Sequence, residues 1–167
     1  LILCVFRPPG GPRRGALHAL RMLWLSVSMM ISFGSVSGRK GGIVNRRNHS
    51  FVMESKLHDV KGRVNYISSP ERQENLYAVF ANVEDSYWEL LAEQNQRDFA
   101  KSGTEGTCIE ARELIIMLPP SMIEYDHELL LKYMTSVFLE KYAVGCCAAL
   151  HHNKSKTNLH IHLIFSE

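Results

Sequence analysis

The chain predicts an α+β sandwich, an antiparallel sheet of about five strands packed with helices, and three patterns carry that expectation. Near the end, the apolar runs Val144–Leu150 and Leu159–Phe165 are separated by a polar connection of Asn, Lys, Ser and Thr, the layout of two strands joined by a short loop. Cys108–Leu118 is a long, largely apolar run stopped by Pro119-Pro120, as expected of a central strand. Leu129, Leu130, Tyr133, Met134, Val137, Phe138 and Tyr142 recur at a period near 3.6, the stripe of a core-facing helix. Hairpin-linked strands preceded by helical segments make a layered sheet-and-helix domain.

In chain order, Ile43–Arg47 and Ser50–Met53 read as a first strand or hairpin. Leu57, Val60, Val64 and Ile67 then fall at helical spacing, with a break before Pro70. Tyr66 lies outside that apolar set and is free to face a cleft. Its neighbours Lys61 and Arg63 bring positive charge that could stabilise a phenolate or hold a phosphate. Glu74–Phe80 reads as an apolar helix face, which accounts for Tyr77 without any function. Ser86 with Glu89 three residues on predicts a capping box, with Tyr87 and Trp88 as core. Gly103 and Gly106 break the chain. Glu113 is a carboxylate entering a strongly apolar strand, so it needs a partner or a purpose; a strand end meeting solvent beside Arg112 is the structural alternative. Asp126-His127-Glu128 caps the long helix, giving the expected order β, α, α, α, β, α, β, β.

His160 and His162 flank one apolar residue, and side chains two apart on a strand share a face. Both imidazoles project together while Ile161 and Leu163 face a core on the other side. With 8 histidines in 167 residues, about 0.4 such spaced pairs arise by chance, so a pair of half-exposed strand histidines is the bland alternative. Hairpin pairing, however, brings an upstream histidine, His151 or His152, beside them. Three imidazoles on one face make an open metal site. Mg²⁺ or Mn²⁺ is the expected ion from cellular supply, while the imidazole set also suits Zn²⁺, Co²⁺ or Ni²⁺.

The segment AALHHNKSKTNLHIHLIFSE resembles the three-histidine motif of plasmid mobilisation relaxases of the MobA/MobL class, within the HUH (His-hydrophobic-His) endonucleases. Asn158 matches the family's Asn, Leu159 stands where Pro is usual, and His160 and His162 match the pair. Both upstream spacings occur in the family; His151 is the preferred third metal ligand. Arg63-Val64-Asn65-Tyr66-Ile67 resembles the early Ala-x-Tyr-Ile helix that carries the family's catalytic tyrosine. The resemblance thus implies Tyr66 as nucleophile, with Tyr77 as runner-up, and Glu113 as the acidic residue near the metal, with Glu113 or a water handling protons. It covers roughly residues 43 to 167 and implies the five-stranded relaxase fold. The implied activity is nicking and rejoining of one DNA strand through a 5′-phosphotyrosine, in plasmid mobilisation. The implied substrate is single-stranded or melted origin-of-transfer DNA, held by Lys61, Arg63, Lys154 and Lys156, with accessory relaxosome proteins as possible partners. Family members continue further, so a C-terminally truncated domain is expected. A His₃-metal hydrolase without a covalent intermediate, and a non-catalytic DNA-binding fragment, remain the alternatives.

Charge alone argues for no domain-wide nucleic-acid surface. The first 38 residues hold four Arg and no acid, which leaves 15 of the 19 Lys+Arg against all 17 Asp+Glu; basic surface must then be local. The four cysteines show no ligand spacing, and adjacent Cys146-Cys147 read as small buried hydrophobes on opposite faces of a strand. A reducing, cytoplasmic setting without disulfides is expected. Arg13-Arg14, an apolar stretch from Ala16 to Phe33 and Gly34–Gly38 have a signal-like layout, yet the run from Met22 to Phe33 is too short and too serine-interrupted for a membrane span. Residues 1–40 are therefore read as a non-native or signal-like leader outside a 41–167 domain, with no stable membrane insertion.

Overall fold

The computed structural model describes residues 52–166; the expected leader and the run Ile43–Arg47 lie outside the described residues, while the expected Ser50–Met53 run enters them at Val52 and Met53, which open the first described strand. Five strands and three helices follow in order: β1 Val52–Leu57, α1 Val60–Ser68, β2 Leu76–Ala81, α2 Asp85–Ser102, β3 Ala111–Leu118, α3 His127–Tyr142, β4 Cys146–His152 and β5 Leu159–Phe165. The 3₁₀ segment Pro120–Glu124 joins β3 to α3. The strands form one antiparallel sheet in the order β1-β3-β5-β4-β2. Among the described residues, no helix is long and apolar enough to cross a membrane.

β5 lies at the centre, paired with β3 on one side and β4 on the other. A strand covered on both faces is near-continuously apolar, and the alternation then decides which face each residue lines. Leu159, Ile161 and Leu163 point to the α3 face and are about 1% exposed. α3 packs along β2 and β4 with Leu130, Leu131, Met134 and Phe138 buried, and its Phe138 ring reaches Phe165 at the end of β5, 5.1 Å away. Each fully buried aliphatic side chain contributes about 1.5–3 kcal/mol of transfer free energy. On the opposite face, Val60, Val64 and Ile67 of α1 pack with Trp88 of α2 against Cys147, Ala149 and Ile164. Small residues on β4 let α1 approach closely, and Cys146 and Cys147 are buried on opposite faces as expected.

Four local expectations need correction. Leu57 ends β1 and does not open a helix, because Asp59 caps α1 by accepting from the Gly62 N–H at 2.8 Å. Leu76–Ala81 is a strand, not a helix face: a six-residue apolar run has no distinguishing period, and pairing with β4 decides it. α2 begins at Asp85 after Glu84, with no side-chain cap bond, and Glu89 instead reaches Lys61. Of the α3 stripe, Leu129 and Tyr133 are 54% and 40% exposed, so the helix buries a narrower arc. Asp126 does cap that helix, accepting from Leu129 N–H at 2.9 Å.

Candidate metal centre

Alternation and register together assemble the three imidazoles. His151 is directly opposite His160, and Ala149 opposite His162, so all three histidines share the α1 face of the sheet. They are 5%, 8% and 6% exposed. One ring nitrogen from each lies within 4.8 Å of the others. His152 points the other way, so His151 is the third member of the set. The bland reading of half-exposed strand histidines is excluded by their burial.

The outer nitrogens define which atoms face inward. Nδ1 of His160 meets the Asn158 carbonyl at 3.1 Å, Nδ1 of His151 meets the His152 carbonyl at 3.3 Å, and Nδ1 of His162 meets Glu113 Oε1 at 2.5 Å. Carbonyl oxygens only accept, so Nδ1 of His151 and of His160 carries the proton; at His162 the short contact to the Glu113 carboxylate outweighs the Arg63 Nη2 group 3.3 Å away and sets the same tautomer, so each Nε2 keeps its lone pair. Nε2 of His151 is buried with no hydrogen-bond partner. Leaving such a group unsatisfied costs about 1–3 kcal/mol, and a cation shared with the other two imidazoles satisfies it. Outer partners that fix tautomer and ring orientation are what metal-ligating histidines require. The residues present thus fit a divalent ion held by His151, His160 and His162.

Burial, followed by the proximity of His162 and His160, pushes His151 from the ordinary 6.5 down to about 4. Burial likewise lowers His160. These imidazoles are neutral at pH 7 and ready to ligate. The same shifts predict a pH-dependent fold. Because the folded-state value lies below the unfolded one, the unfolded chain binds more protons below pH 6.5, and stability falls from there to about pH 4. For His151 alone the loss is roughly 3 kcal/mol. Urea midpoints at pH 7, 5 and 4, with metal chelated, are expected to fall in that order; a flat profile contradicts the burial argument.

Glu113 has found the partner its apolar strand demanded. It is 2% exposed, and besides His162 it receives Arg63 through Nε at 3.1 Å and Nη2 at 2.8 Å, with Ser55 Oγ at 3.3 Å. Burial alone would raise its pKa, but His162 and Arg63 outweigh that and hold the carboxyl below its ordinary range. A charged, fully engaged carboxylate is suited to orienting His162 and poorly suited to exchanging protons with a substrate.

Arg63 continues the chain of contacts outward. Its guanidinium carbon lies 5.3 Å from the centroid of the Tyr66 ring, one turn along α1, where the tyrosine is 43% exposed. The helix is seated by a residue that sequence reasoning missed: buried Glu110 accepts from the Val60 N–H at 2.9 Å and from Gln96 Nε2 at 2.8 Å. Its only signal was a second carboxylate at the start of an apolar run. Of the four cations assigned to DNA, Arg63 is committed to Glu113 and Lys61 pairs with Glu89 across α1 and α2 at 2.8 Å. Lys154 and Lys156 stand exposed on the loop joining the two ligand-bearing strands. That loop is held by Asn153 Oδ1, which accepts from the Thr157 and Asn158 N–H groups at 2.9 and 3.0 Å. Tyr77, the runner-up nucleophile, is on β2 and bonds His152 instead.

Fold and site together define an antiparallel α+β domain with a buried three-histidine candidate metal centre. No protein-family model matches the chain, and no similar chain was found among curated proteins or solved structures.

Proposed function

We propose that this domain nicks and rejoins one strand of DNA through a covalent 5′-phosphotyrosine, using a divalent ion held by His151, His160 and His162. The observation that carries the reading is a set of three buried imidazoles on the sheet face covered by the helix that bears Tyr66 and Arg63. When bound, the ion supplies positive charge for a non-bridging phosphate oxygen and the charge that builds on it. Tyr66 Oη forms the new bond to phosphorus as the bond from phosphorus to the 3′ oxygen breaks. The phenol proton ends on that oxygen, leaving a 3′ hydroxyl and a 5′ phosphate on Tyr66. The phosphotyrosine remains a diester, so a returning 3′ hydroxyl reverses the step. Glu113 acts as a positioning residue that holds His162, a narrower role than proton transfer. Lys154 and Lys156 supply loop charge for a single-stranded backbone.

The test mixes the protein and Mn²⁺ with a pool of single-stranded oligonucleotides labelled at the 3′ end, followed by a denaturing gel. The expected product is labelled DNA migrating with the protein. Free cleavage products without an adduct support hydrolysis by a metal centre and overturn the covalent route. An unchanged pool leaves a DNA-binding fragment as the better reading.

A further inference from the structure

The face of β4 opposite the triad carries a second constellation. Tyr77 Oη and His152 Nδ1 are 2.8 Å apart, and the Tyr77 ring lies 4.7 Å from that of His127 and 5.4 Å from that of His152. The bond depends on an irregularity in β2. Leu76 pairs with His151 and Ala78 with Leu150, so Tyr77 is an extra residue in the ladder. Such bulges re-aim a side chain and recur beside functional sites. Here the bulge carries the phenol to the residue directly after a proposed metal ligand. That residue's carbonyl is the one that accepts the hydrogen bond from His151 Nδ1–H. Its N–H is held from the same edge, donating to the Asn75 carbonyl at 3.2 Å. Both backbone polar groups of His152 are therefore engaged, the N–H by Asn75 just before β2 and the carbonyl by the His151 ring that it orients.

We infer that Tyr77 is a positioning residue for the metal centre, fixing His152 so that its carbonyl holds the His151 ring with Nε2 turned toward the other two imidazoles. The inference rests on the metal-centre reading above. It gives Tyr77 a role through its hydroxyl that neither core packing nor nucleophilic attack explains. His151 depends on this support most, because its outer hydrogen bond, at 3.3 Å, is the longest of the three.

Co²⁺ titration followed by visible absorption tests it on the whole chain. Loss of an outer-shell partner typically weakens metal binding 10- to 100-fold; Tyr77→Phe, which keeps the ring, is expected to weaken Co²⁺ binding about 10-fold and to shift the ligand-field bands. His152→Gln is expected to show a similar loss, and the double variant little more than either single one, since both act through one bond. Val79→Ala, on the same strand but away from His152, serves as the structural control and is expected to leave affinity and bands unchanged. A Tyr77→Phe protein with wild-type affinity and spectrum overturns the inference while leaving the metal centre standing. Additive losses for the two substitutions also overturn it. Failure of the unmodified protein to bind Co²⁺ overturns both readings together.

Discussion

Tyr66→Phe is expected to lower covalent capture of labelled single-stranded DNA by at least about 10³-fold, the scale on which removal of a nucleophile acts. The ring and its contact with the Arg63 guanidinium survive this substitution, so α1 keeps its seat on the sheet. Co²⁺ affinity is expected to stay at the wild-type value, because the phenol is not one of the three clustered ligands. That pairing of lost chemistry with intact metal binding separates a nucleophile from a structural tyrosine. Capture that persists unchanged in Tyr66→Phe removes Tyr66 from the mechanism and moves the search to another tyrosine. Tyr77→Phe gives the opposite pattern, weaker metal binding with an adduct still formed at saturating metal.

The second large effect belongs to Glu113. Breaking a buried ion pair by removing one partner costs about 3–5 kcal/mol, but Arg63 retains 28% side-chain exposure and can rehydrate. Glu113→Ala is therefore expected to cost about 2–3 kcal/mol, read as a melting temperature lower by about 10 °C. Glu113→Gln keeps the size and an acceptor for the His162 Nδ1 proton but loses the charge, so its stability loss is expected to be smaller. Its Co²⁺ affinity is still expected to fall 10- to 100-fold, since a neutral amide holds the His162 ring in its ligating orientation less firmly than the carboxylate does. Glu113→Gln with unaltered metal affinity would show that the contact with His162 serves the fold alone. If Glu113 instead shuttles protons, Glu113→Gln should suppress adduct formation at saturating metal; a full rate there supports positioning.

Much of the site was readable from the chain because it obeys a short-range rule. Residues two apart on a strand share a face, so His160 and His162 were bound to act together wherever β5 lay in the sheet. The buried partners of Ile161 and Leu163 follow from the same alternation. Tyr66 was legible as the α1 residue outside the Val60, Val64 and Ile67 set, and it is exposed. Less legible was Leu76–Ala81, whose six apolar residues fit a helix face as well as a strand until β4 pairs with it. That one misreading also hid the bulge at Tyr77 and its bond to His152.

Local pattern alone determined the α+β class, the paired histidines of the last strand and the helix that offers Tyr66. Tertiary structure decided that His151 and not His152 completes the triad, and that Arg63 and Glu113, 50 residues apart, meet at His162. The reason is physical: a strand's facing is set by its own alternation, whereas convergence of side chains from different strands depends on sheet order and register. Those are fixed only when β3, β5 and β4 pair and bury both faces at once.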